Sequence, residues 1–151
     1  MVGRKRVLVV EDDPDVRQLV AGLMVDAGFD AQTAVDGDHA IRSAAALKPD
    51  LIILDVYVPK AELAIRFAQE YRRRVRAENR APIIAMSARP DLESFAQQIG
   101  ASNYLRKPFD NEELVSLARK LLTPSVDDRE SASSPDAASQ APQVEPEKAS
   151  T

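Results

Sequence analysis

Five short apolar runs, each followed by a stretch with helical spacing, constrain this chain more than any other feature. The runs RVLVV (6–10), AQTAV (31–35), LIIL (51–54), PIIAM (82–86) and NYL (103–105) have strand length and are expected as strands. Between them apolar residues recur at i, i+3, i+4, i+7: Val16, Leu19, Val20, Leu23 in a first helix; Leu92, Phe95, Ala96, Ile99 in a fourth; Leu114, Leu117, Ala118, Leu121 in a fifth. Ile41, Ala44 and Ala45 give the second helix a thinner stripe, and Leu63, Phe67 and Tyr71 mark the third. Strands that are apolar throughout and alternate with helices are covered on both faces, which predicts a parallel sheet in an α/β, doubly wound fold.

In such a sheet ligands gather beyond the carboxyl ends of the strands, near the point where strand order reverses. The residues expected there are Glu11, Asp12 and Asp13 after the first strand, Asp55 after the third, Ser87 after the fourth and Lys107 past the fifth. Asp13 precedes Pro14, so it is pushed out of helical geometry and suits an N-cap, with Asp15 favoured in the first turn by the helix dipole. Capping leaves Glu11 and Asp12 unexplained. Carboxylates this close repel one another, and a hard divalent ion such as Mg²⁺ resolves the repulsion while keeping coordination sites for phosphate oxygens.

In order and spacing, the segments VLVVEDDP, DLIILDVYVP, PIIAMSA and GASNYLRKPF resemble the receiver domain of two-component response regulators over about residues 5–122. The resemblance implies a five-stranded (βα)5, flavodoxin-like receiver fold of the single-domain, chemotaxis-regulator type, acting as a phosphorylation-dependent switch and not as a classical enzyme. It implies Asp55 as the carboxylate that accepts a phosphoryl group from a sensor histidine kinase, a phosphotransfer protein or a small phosphodonor. Glu11, Asp12, Asp55 and the backbone carbonyl of Tyr57 would hold Mg²⁺, and Lys107 would pair with a phosphoryl oxygen. Ser87 and Tyr104 would be the switch pair that reshapes a surface for a downstream protein target, with a phosphorylation-dependent dimer left open. Two alternatives compete: an interaction module of the same fold that signals without phosphorylation, and a Mg²⁺-dependent phosphatase. The second acid that such a phosphatase needs two residues after its nucleophile is Tyr57 here.

After Pro59 the chain departs from the family, reading KAELAIRFAQEYRRR without a glycine. Tyr57 and Arg89 flank the expected site and are expected to tune the lifetime of the phosphorylated form. The run Arg72, Arg73, Arg74, Arg76, Arg80 is read first as a solvated helix end, and second as a dock for an acidic partner or the chain's own tail. His39 is expected to be structural, and Asp110 with Glu113 matches a capping box.

Charge divides the chain. Residues 123–151 carry six acids (Asp127, Asp128, Glu130, Asp136, Glu145, Glu147) against two bases, which leaves 18 of each in residues 1–122. That composition, rich in Ser, Ala and Pro, predicts a disordered acidic tail or linker after a receiver domain spanning 1–122. A neutral body gives no reason to expect nucleic acid as a partner, no run reaches membrane-spanning length, and the chain lacks cysteine. A cytoplasmic location is expected.

Overall fold

The computed structural model describes residues 3–56 and 61–122. Within them run β1 (Arg6–Val10), α1 (Pro14–Asp26), β2 (Asp30–Ala34), α2 (Gly37–Leu47), β3 (Leu51–Asp55), α3 (Ala61–Arg74), a 3-10 turn (Ala77–Asn79), β4 (Ile83–Ser87), α4 (Leu92–Ile99), β5 (Asn103–Arg106) and α5 (Asn111–Leu122). The five strands form one parallel sheet in the order β2-β1-β3-β4-β5. Strand order reverses between β1 and β3, which creates the predicted crevice.

Alternation along the central strands feeds two cores. Leu8, Val10, Ile52, Leu54, Ile83 and Ala85 point to one face, under α2, α3 and α4. Val7, Val9, Leu51, Ile53, Ile84 and Met86 point to the other, under α1 and α5. β1, β3 and β4 are therefore apolar on both sides, as strands sandwiched between helix layers must be.

The helix stripes need correcting in three places. In α1 the residues buried outright are Val20 and Met24, with Val16 and Leu23 partly buried and Leu19 47% exposed. In α3 the inner face is Ala64, Phe67, Ala68 and Tyr71, while Leu63 is 40% exposed. In α2 it is Ala40, Ile41 and Ala44, and Ala45 is exposed. Each error took a residue at the margin of the apolar arc for its centre. β2 lies one residue earlier than expected, leaving Val35 outside it, 43% exposed. The Pro59 segment and the proposed tail, 123–151, lie outside the described residues.

Helix starts follow the capping reading closely. Asp13 accepts from the Asp15 and Val16 N–H groups at 2.8 and 3.3 Å, with Pro14 opening α1. Asp36 caps α2 by accepting from His39 N–H at 2.8 Å, so the His39 backbone belongs to that cap. The Asp110–Glu113 box is only half formed: Asp110 Oδ1 accepts from Glu112 N–H at 3.2 Å, and its carbonyl accepts from Glu113 N–H at 3.0 Å. No bond from the Glu113 side chain back to Asp110 N–H occurs among the described residues.

Candidate functional site

β1 and β3 are neighbours with Val10 opposite Leu54, so the next residues, Glu11 and Asp55, emerge side by side at the reversal point. Carboxylate oxygens of Glu11, Asp12 and Asp55 lie within 4.8 Å of one another. From β5, the Lys107 Nζ comes 2.6 Å from Asp55 Oδ1 and 3.7 Å from Glu11 Oε1. The Glu11 and Asp55 side chains are only 1% and 3% exposed. Their Oε1 and Oδ1 atoms accept no hydrogen bond of normal geometry among the described residues, despite the ammonium beside them. One ammonium facing two buried carboxylates leaves negative charge uncompensated. The cluster thus fits a hard divalent cation on three counts: oxygen donors, their mutual distances, and buried oxygens that share a single ammonium.

Burial pushes the Glu11 carboxyl up to about 8, and hydrogen bonding and charge from Asp55 push the same way. The Asp13 N–H, donating to Glu11 Oε2 at 3.1 Å, and the Lys107 charge pull against that rise. A carboxyl so displaced signals a site arranged for a charge it does not itself supply.

Arg17 was not anticipated from sequence. Its guanidinium donates to the carbonyls of Glu11 and Asp12 at 3.0 and 3.4 Å, pinning the acid loop to the first turn of α1. The i+5 and i+6 spacing to those carbonyls is the only sequence signal, and it is a weak one. Beside the acids opens a cleft of about 90 Å³ bounded by Val35, Asp36, Leu63 and Phe67. The exposed Val35 and Leu63 that departed from the expected pattern form its rim.

Ser87 is the last residue of β4, one position beyond the Met86 that pairs with Asp55, and is buried. Its hydroxyl oxygen accepts from Arg89 N–H at 3.0 Å. Arg89 is held in three further ways: its guanidinium makes two 2.8 Å bonds to Asp91, lies 4.5 Å above the Phe95 ring, and its carbonyl accepts from Arg106. Tyr104 sits on β5 opposite Ala85, 36% exposed, outside the acid cluster. Tyr57, expected to offer a carbonyl to the metal, lies outside the described residues. The site therefore brings together Glu11, Asp12, Asp55 and Lys107, places Ser87 on the adjoining strand end, and leaves Tyr104 at the surface.

The arginine run is the solvated helix end expected, with Arg72, Arg73, Arg74 and Arg76 exposed, and two of the five also close helices. Arg72 donates to the Ile99 carbonyl at the end of α4 (3.0 Å), and Arg80 donates to the Val75 and Arg72 carbonyls at the end of α3 (both 2.8 Å). Arg73 and Arg74 share Glu70 at 2.8 and 3.2 Å, in exposed pairs.

Residues 7–119 match the response regulator receiver domain family. Among curated proteins, the DNA-binding dual master transcriptional regulator RpaA of Synechocystis is 38% identical over 119 residues, covering 78% of this chain and 48% of RpaA. The transcriptional regulatory protein PrrA of Mycobacterium tuberculosis is 39% identical over 120 residues, covering 78% of this chain and 49% of PrrA. The chain thus spans about half the length of these relatives. Among solved structures, the chemotaxis response regulator CheY4 of Vibrio cholerae has a TM-score of 0.68 at 29% identity, over 80% of this chain and all of CheY4. The receiver domain of the sensor histidine kinase PA1611 from Pseudomonas aeruginosa, solved with a magnesium ion coordinated in its active site cleft, reaches 0.70 at 27% identity, over 81% of this chain and all of that one.

Proposed function

Because the chain belongs to the response regulator receiver domain family, we propose that it is a phosphorylation-controlled switch in which Asp55 is the phosphoacceptor. An Asp55 carboxylate oxygen attacks the phosphorus of a phosphohistidine or small acyl phosphate; the oxygen–phosphorus bond forms as the donor's bond to phosphorus breaks, and the leaving group departs with that electron pair. Phosphoryl transfer depends mainly on positioning and charge stabilisation, so few groups suffice. Glu11, Asp12 and Asp55 would hold Mg²⁺, which when bound spreads the charge on the phosphoryl oxygens.

The observation carrying this reading is the Lys107 ammonium 2.6 Å from Asp55 at the edge where Glu11 and Asp12 converge. Lys107 holds the acceptor before transfer and pairs with a phosphoryl oxygen after it. The Ser87 hydroxyl keeps its proton available while its oxygen accepts from Arg89, so it donates to the new phosphoryl group and draws the loop after β4 inward. Tyr104 then leaves its exposed position, changing the α4, β5 and α5 surface that a protein target reads. Sensor kinase, phosphotransfer protein and downstream target are the expected partners.

A second reading places the output on DNA, favoured by relatives such as RpaA, named as DNA-binding and about twice as long as the matched region. Intact mass spectrometry after incubation with Mg²⁺ and acetyl phosphate tests the switch. Gain of one phosphoryl mass, lost with a chelator, is expected. No gain under any donor would leave an interaction module that signals without phosphorylation.

A further inference from the structure

Every helix of this sheet runs back against its strand, so the ends of α2, α3 and α5 share the edge where the strands begin. That edge collects cations. α3 closes on Arg72, Arg73 and Arg74, α5 on Arg119 and Lys120, and α2 on Lys48. Between α2 and α3 the surface is grooved by two neighbouring hollows of about 460 and 580 Å³, the first at the edge, with Arg74 bordering both.

Six bases line this groove: Arg42, Lys48, Arg66, Arg73, Arg74 and Arg76. Four acids answer them: Asp38, Asp50 and Glu70 in the lining, and Glu78, paired with Arg76 at 3.9 Å. Glu70 is shared by Arg73 and Arg74, and an Asp50 carboxylate oxygen already accepts from Arg6 N–H at 2.8 Å. Arg42, Lys48 and Arg66 have no carboxylate within 4.0 Å among the described residues. In a body with equal numbers of acids and bases, this groove is a local excess of two positive charges.

The complementary charge is in the same chain. Residues 123–151 carry the six acids named above, leaving after Leu122 at the edge onto which the groove opens. Asp136 follows Leu122 by 14 residues and Glu147 by 25, spans that as coils reach about 20–30 Å, enough to pass from the α5 face round the edge to α2 and α3. We propose that the acidic segment Asp127–Glu147 docks into the basic groove between α2 and α3, covering it against other polyanions. The contact is one of many weak, screened pairs and not a folded interface, so it follows ionic strength.

The chain has no cysteine, so Ser139→Cys gives a unique site for a nitroxide label on the 151-residue chain. At low salt the amide signals of Arg42, Lys48, Arg66 and Arg74 are expected to lose several-fold more intensity than those of the acid edge, and to recover in about 0.5 M salt, where the Debye length falls to roughly 4 Å. The exposed pair of changes Arg42→Glu and Arg66→Glu should abolish the effect while keeping the dispersed spectrum of a folded domain. Broadening that is uniform, centred elsewhere or unmoved by salt would overturn the proposal. So would broadening in a mixture of labelled and isotope-enriched molecules, which would assign the groove to a second copy. In a separate measurement, the 151-residue chain with the six acids of residues 123–151 changed to amides should bind a fluorescent oligoglutamate several-fold more tightly than wild type. Equal binding, or tight capture of single-stranded DNA by the unaltered chain, would show that the tail does not cover the groove.

Discussion

The two edges of the sheet handle charge in opposite ways. Where the strands begin, guanidinium groups are exposed and satisfied, by the last carbonyls of α3 and α4 or by surface carboxylates. Where the strands end, carboxylates are buried and short of partners, with one ammonium between two of them. The second arrangement raises the free energy of the fold, while the exposed pairs of the first change it little. On the proposed reading chemistry belongs at the second edge, because a bound cation or a transferred group would relieve the unfavourable burial of charge there.

The largest test of that contrast is Asp55→Asn, which removes the attacking oxygen but keeps the shape. Phosphorylation by acetyl phosphate should fall to nothing measurable by intact mass, and any retained transfer would name another acid as acceptor. Lys107→Ala should still accept the phosphoryl group yet lose the accompanying chemical-shift changes in the loop after β4. A full structural response in that variant would remove Lys107 from the switch.

The pH dependence of the metal-free domain should run against intuition. Glu11 is raised from 4.5 to about 8 in the folded state, so the native protein binds more protons than the unfolded chain between those values. Its contribution to stability is full below about pH 4.5 and is lost as pH rises toward about 8. Added Mg²⁺ should recover stability most at the alkaline end, because the proton and the cation compete for the same oxygens. Thermal melts across pH, with and without Mg²⁺, would expose a wrong sign immediately.

At the opposite edge the effects should be smaller. Gly100 ends α4 with φ +74, and a Cβ there would stand 2.5 Å from Arg72 Nη1. Gly100→Ala therefore strains the backbone and dislodges the Arg72 bond to Ile99, at a cost of about 1–2 kcal/mol in chemical denaturation. Arg73→Ala should leave the melting temperature unchanged within error, since its partner Glu70 is exposed and keeps Arg74. A clear loss there would mean the basic edge is also under tension.

The strands and the acid edge were legible because both rest on local signals. Apolar runs mark β1, β3 and β4, and Asp13 before Pro14 marks where β1 hands over to α1. Lys107 could be placed at the edge from its position, and family resemblance implied its pairing to a phosphoryl oxygen, but its 2.6 Å contact with Asp55 was not legible, because contact across two strands leaves no spacing in the chain. The roles of Arg72 and Arg80 were hidden for a related reason. Their partners are backbone carbonyls, which every residue carries and no sequence pattern distinguishes. Leu19 and Leu63 misled because periodicity gives an apolar arc without saying which of its margins the neighbouring layer covers.

The grip on Arg89 has a consequence for the timing of the response. Its N–H, its carbonyl and its guanidinium are each engaged by a different partner, Ser87, Arg106 and Asp91. Loosening one leaves the other two in place, so release of the loop after β4 would require all three contacts to give way together. On the proposed reading, a modification would have to outlast that joint release to be passed on.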